Sequence, residues 1–148
     1  VDRVEELLAL VVADRVLGEL GADEIESVLR RCEAVPVRDR PAMWVHGDLH
    51  PANLLVHRGE ISALLDFGDL CSGDPATDLA IAWMLFDTAE RQVFRESLAL
   101  GGDELWERGR GWAIGLSLAY LAHSADSPTM ERIGRRGLAA AVREALSG

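Results

Sequence analysis

Lysine is absent from this chain: all 15 of its Lys-plus-Arg positions are arginine. Any lysine that would grip a phosphate is therefore excluded from these residues. Cysteine is scarce as well. Cys32 and Cys71 form no C-x-x-C pair and no metal-ligand cluster, so they read as free thiols of a reducing, cytoplasmic environment. A basic surplus is lacking, and the formal charge of −10 sets the chain against nucleic acid, whose phosphates need a basic face. An acidic surface instead suits cationic small molecules. The longest uncharged stretch, Gly111 to Ala125, is too short to span a bilayer, so no membrane partner is expected. No basic-then-apolar leader begins the chain, and nothing points to secretion. Val1 passes straight into Asp2-Arg3-Val4-Glu5-Glu6-Leu7, which gives the expectation of a helix entered partway, as though cut from a longer protein.

The 148 residues, 49% apolar and 27% charged, fit one globular domain over residues 1–148. Apolar residues at helical spacing (Val4, Leu7, Leu8, Val11, Val12, Val16) predict a helix from Val1 to Leu20, closed by Gly18 and Gly21. A second short helix is expected over Asp23 to Cys32, with Ile25, Val28 and Leu29 on one face. Pro36 and Pro41 bracket a polar connector that cannot be regular helix. Met43-Trp44-Val45 is a short apolar run that ends in a loop at His46. Asn53 to His57 and Ile61 to Leu65 are β-prone runs around Arg58-Gly59, a hairpin signal. Asp74-Pro75 opens a helix through Asp78, Leu79, Ile81, Ala82, Leu85 and Phe86. Helices near Glu90–Leu100, Glu104–His123 and Thr129–Leu146 follow. The fold class is α+β and mainly α, with helices around one small β-hairpin. Trp83, Trp106 and Trp112 lie on these helices among apolar neighbours and are expected in the core. Gly109-Arg110-Gly111-Trp112-Ala113-Ile114-Gly115 misses the spacing of a dinucleotide-binding turn and sits inside a helical pattern, so it is no phosphate loop.

The chemistry concentrates in His46-Gly47-Asp48-Leu49-His50-Pro51-Ala52-Asn53 and Leu65-Asp66-Phe67-Gly68-Asp69. If the hairpin turns near Gly59, Asn53 and Asp66 fall almost opposite each other at its open end. Facing residues on antiparallel strands are about 5 Å apart, so an amide oxygen and a carboxylate could share one Mg²⁺. Asp48 sits five positions before Asn53 in a loop that Pro51 keeps from becoming helix, with its carboxylate towards a substrate hydroxyl. Singly, each residue also has a structural reading: Asp48 as a cap, Asn53 as a turn residue, Asp66 as a strand-end Asx turn.

These two motifs, with Gly73-Asp74-Pro75-Ala76-Thr77-Asp78-Leu79-Ala80 after them, resemble the aminoglycoside phosphotransferase family, small-molecule kinases of the protein-kinase-like fold. The resemblance is specific from Trp44 to about Phe86 and general elsewhere. It implies that Asp48 is the catalytic base, that Asn53 and Asp66 bind magnesium on ATP, and that an alcohol such as an aminoglycoside is the acceptor. Antibiotic resistance is the corresponding expectation for the organism. His50 stands where protein kinases carry a lysine that touches the transferred phosphate, so it either donates a hydrogen bond there or packs within the loop. His46 is expected to support the loop. Asp69 either assists at the metal or caps a turn. Asp78 is either a favourable charge near a helix N-terminus or, as the resemblance to kinase-like folds implies, the anchor of the catalytic loop through backbone hydrogen bonds.

Such enzymes clamp ATP under a glycine-rich N-terminal lobe with a lysine. Neither feature precedes Asp48, so the chain is expected to be the C-terminal lobe, inactive without its N-terminal partner lobe. Two rivals stand beside this reading. One is a non-catalytic lobe that binds a small molecule or partner. The other is a metal-dependent phosphoesterase built on Asp48-Leu49-His50 and Gly68-Asp69, for which His57 and His123 stand in no matching motif.

Overall fold

The computed structural model describes residues 6–9, 11, 20–37, 42–98, 102–123 and 126–147. Residues 6–9 and 11 are helical, while the rest of the first predicted helix up to residue 19 lies outside the described residues. So do residues 38–41 of the polar connector.

Helix α1 spans Ala22–Glu33 and buries Ile25, Val28, Leu29 and Cys32, the face its spacing predicts. Asp23 and Glu24 in its first turn and Arg30 and Arg31 in its last complement the helix dipole. Four strands follow: β1 Met43–Val45, β2 Leu54–His57, β3 Glu60–Leu64 and β4 Cys71–Gly73. Then come α2 Ala76–Leu79, α3 Ile81–Leu85, α4 Thr88–Ser97, α5 Asp103–His123 and α6 Pro128–Ser147.

The expected hairpin is β2–β3. Arg58 and Gly59 turn it with φ of 52° and 85°, the double left-handed geometry that matches strand twist. Leu54 pairs with Leu64 and His57 with Glu60, and a bulge follows Leu55. The expectation of a single hairpin is corrected by a second two-stranded sheet, in which β1 runs antiparallel to β4 with Trp44 opposite Ser72. Cys71-Ser72-Gly73 carries no β-prone pattern, and its partner is distant in sequence, so no local signal marks it. The helix expected from Asp74 is two short pieces. Around Ala80 the hydrogen bonds tighten to three-residue spacing, with Ala80 N–H donating to Thr77 and Trp83 N–H to Ala80.

The core lies between α1, α2, α3, α5 and α6. Trp83 is fully buried and meets Trp106 with ring centroids 4.6 Å apart. Trp112 departs from expectation: it is 45% exposed on the outer side of α5, beside Cys32 and Val35. Close helix crossings depend on glycine for lack of space. A Cβ at Gly109 would lie 2.9 Å from Leu79 Cβ, and one at Gly137 would overlap Ser117 Oγ. Partly buried ion pairs tie the helices together as well. Glu144 accepts from Arg91 Nε at 2.8 Å and from Arg110 Nη2 at 2.9 Å, linking α4, α5 and α6. No helix among the described residues is long and apolar enough to cross a membrane.

Candidate active site

The loop after β1 is fastened before it reaches Asp48. The Asp78 carboxylate accepts the backbone N–H of His46 at 2.7 Å and that of Gly47 at 3.0 Å. This is the anchoring role implied for Asp78, performed from the first turn of α2. α2 is itself held by Asp74, whose carboxylate caps Ala76 N–H at 3.1 Å and pairs with Arg108 Nε on α5 at 2.7 Å. His46 is buried and its Nε2 lies 2.8 Å from Leu65 O, so the loop is joined to the end of β3. Gly47 has φ of 88°, and a Cβ there would stand 2.5 Å from Asp69 O. Only glycine fits that approach. Asp69 itself is exposed, and its backbone forms this wall.

Asp48 projects from this fixed loop with its side chain 34% exposed. Tyr120 of α5 donates its hydroxyl to Asp48 Oδ1 at 2.7 Å. His50 Nε2 stands 3.5 Å from Asp48 Oδ2. The His50 ring is buried and meets Tyr120 edge-on, with centroids 5.5 Å apart. The structure thus puts His50 beside Asp48 in a packed position, where its Nε2 also lies 3.4 Å from Asn53 Nδ2.

A 3₁₀ turn over Pro51–Asn53 carries the chain from His50 into β2. Asn53 is buried, and its Nδ2 donates to the Asp48 carbonyl at 3.0 Å. Its backbone carbonyl accepts Leu65 N–H at 2.9 Å, so Asp66 is the next residue beyond the pair, near the position expected. Asp66 adopts φ of 55°, and its Oδ1 accepts Gly68 N–H at 3.3 Å in an Asx turn. Its side chain is exposed. The donor set suits magnesium: the Asn53 amide nitrogen is engaged inwards, which leaves Oδ1, and Asp66 offers a solvent-facing carboxylate. Among the described residues no group of three or more His, Cys, Asp and Glu is placed to hold a metal ion, and His57 and His123 are not gathered here.

Tyr120 was not legible as a site residue. It is the only tyrosine in the chain, 72 positions from Asp48 on an apolar helix, and no motif marks it. Burial, then the hydrogen bond to Asp48 and the carboxylate's charge, push its phenol well above the ordinary tyrosine range. It therefore stays protonated and acts as a hydrogen-bond donor.

A carboxylate on an anchored loop, followed by an amide and a second carboxylate across a hairpin, is equipment of the phosphotransferase class. The chain matches the model of the phosphotransferase enzyme family over residues 2–112 and belongs to that family, as the motifs imply. It is 32% identical over 78 residues to a homoserine kinase of Gluconobacter oxydans (strain 621H), covering 51% of this chain and 25% of the relative. It is also 29% identical over 89 residues to YcbJ of Bacillus subtilis (strain 168), described as uncharacterized, covering 55% of this chain and 29% of that protein. The matched segments thus span little more than a quarter of these relatives. No solved structure matches the chain at a significant level.

Proposed function

We propose that the protein carrying this chain is an ATP-dependent small-molecule kinase. The chain would be its C-terminal lobe, with the protein-kinase-like architecture, acting in the cytoplasm. The observation that carries the reading is Asp48: a partly exposed carboxylate on a loop locked by Asp78, with Asn53 bonded to its backbone carbonyl and Asp66 one residue beyond the Asn53–Leu65 pair. In the proposed reaction Asp48 accepts the proton of an alcohol as its oxygen forms a bond to the γ-phosphorus of ATP. The bond from that phosphorus to the ADP oxygen breaks, and ADP leaves. Asn53 Oδ1 and the Asp66 carboxylate would hold Mg²⁺, which neutralises charge on the phosphates.

The ATP-gripping lobe would come from elsewhere in the same protein. Exposed apolar side chains support this: Trp44, the paired Val56 and Ile61, and Phe67 are 77%, 63%, 60% and 52% exposed. The acceptor is an alcohol. The relative named as a homoserine kinase brings homoserine forward, and the net charge of −10 favours amine-bearing acceptors, aminoglycosides among them.

The test offers Mg²⁺ and γ-labelled ATP with homoserine, choline, sugars, macrolides and aminoglycosides to the full-length protein and to this chain alone. Transfer to one alcohol by the full-length protein, with weak ATP binding and little turnover by this chain, is the expected result. Stoichiometric small-molecule binding without phosphoryl transfer by the full-length protein would instead identify a non-catalytic lobe.

A further inference from the structure

The residues that by family resemblance make up the site all lie between His46 and Asp69, yet the shortest hydrogen bond to the Asp48 carboxylate comes from outside that segment. Tyr120 reaches from α5 and donates to Oδ1 at 2.7 Å. The rest of Asp48 is also held: Asn53 Nδ2 grips its carbonyl at 3.0 Å, and His50 Nε2 faces Oδ2 at 3.5 Å. Tyr120 and His50 further brace each other edge-on, with centroids 5.5 Å apart. The carboxylate is thus aligned from both sides, by a phenol on one oxygen and an imidazole facing the other.

We propose that Tyr120 is a positioning residue: its hydroxyl fixes the rotamer of the Asp48 carboxylate, so that Oδ2 is presented to the acceptor alcohol. This rests on the reading of Asp48 as the base. A phenol suits the task. It is rigid, it comes from a 21-residue helix that belongs to the packed core rather than to the loop, and it gives a single directed donor. Its raised ionisation, caused by burial and then by the bond to Asp48, keeps that donor in place across the working pH range. Among the described residues, Asp48 and His50 are the titratable groups shown against it.

Because the chain has one tyrosine, the pair can be read without assignment, from tyrosinate absorbance with circular dichroism reporting the folded fraction. In the folded wild-type chain tyrosinate should form only well above about pH 10, and Asp48→Asn should lower the midpoint by about one pH unit or more. In the full-length protein, with MgATP and homoserine, choline or an aminoglycoside as probe acceptor, Tyr120→Phe should lower kcat about tenfold and leave the KM for ATP unchanged. A packing role alone would not produce that split, since the phenylalanine keeps the ring against His50. Equal tyrosinate midpoints in the two folded chains, or wild-type kcat in Tyr120→Phe, would overturn the proposal. Full turnover in Asp48→Asn would instead overturn the reading of Asp48 as base, while the absorbance result would still report the contact.

Discussion

Removing the Asp78 carboxylate tests whether the Asp48 loop is held from α2. The carboxylate accepts two backbone N–H groups, at 2.7 Å from His46 and 3.0 Å from Gly47, in a partly buried setting. Hydrogen bonds to a charged group contribute roughly 1.5–3 kcal/mol each, and partial exposure argues for the lower end. Asp78→Ala should therefore cost about 3 kcal/mol, a large share of the roughly 5–15 kcal/mol expected for a domain. For a chain of this size that is a fall in Tm of about 6–12 °C. Asp78→Asn keeps one acceptor but removes the charge and turns an amide donor towards the other N–H, so it should cost at least half as much. Urea denaturation followed by circular dichroism gives both numbers, with a lower midpoint and an unchanged m value. An alanine variant within about 0.5 kcal/mol of wild type would refute the anchoring role, because that is the range of ordinary surface substitutions.

Close packing at glycine gives a second expectation. Gly137→Ala should cost about 1–3 kcal/mol by urea denaturation, since its Cβ would meet Ser117 Oγ and Met84 Cγ at the α5–α6 crossing. Acid should weaken the same helix cluster. Burial alone would raise the Glu144 carboxyl, but the hydrogen bonds and charges of Arg110 and Arg91 outweigh it and leave Glu144 lowered. A lowered folded value means stability that is present above the unfolded value and lost as pH falls below the ordinary glutamate range. Glu144→Gln should flatten that acid limb in a pH series of denaturation midpoints. Alkylation should separate the two thiols: Cys71 is exposed, while burial and then Glu107 push Cys32 up to about 11. With iodoacetamide near neutral pH, mass spectrometry should find Cys71 modified well before Cys32.

Much of this was legible in the sequence where the signals are local. Arg58-Gly59 between β-prone runs set the hairpin, and apolar spacing set α1, α5 and α6 close to their observed ends. The anchoring role of Asp78 was one of two readings, implied by the family resemblance, and its bonds to His46 and Gly47 N–H select it. Features that depend on distant residues were not legible. β4 is three residues without β character, and it exists because β1 offers a partner. Trp112 was expected in the core because apolar residues surround it along α5, yet periodicity on so apolar a helix does not separate the outward side from the inward one. Tyr120 was missed for the same reason: it reads as one more large residue on a core helix until the fold brings it to Asp48.

As the proposed base of an ATP-dependent phosphoryl transfer, Asp48 should be required for turnover. The most direct measurement is transfer of label from γ-labelled ATP to the alcohol panel by the full-length protein, comparing wild type with Asp48→Asn at saturating MgATP. Wild type should transfer label to at least one alcohol, and the variant should lose about 10²–10⁴-fold in kcat with the fold intact by circular dichroism. Turnover by Asp48→Asn at the wild-type rate, or no transfer to any alcohol by a folded, ATP-binding wild type, would contradict that proposal.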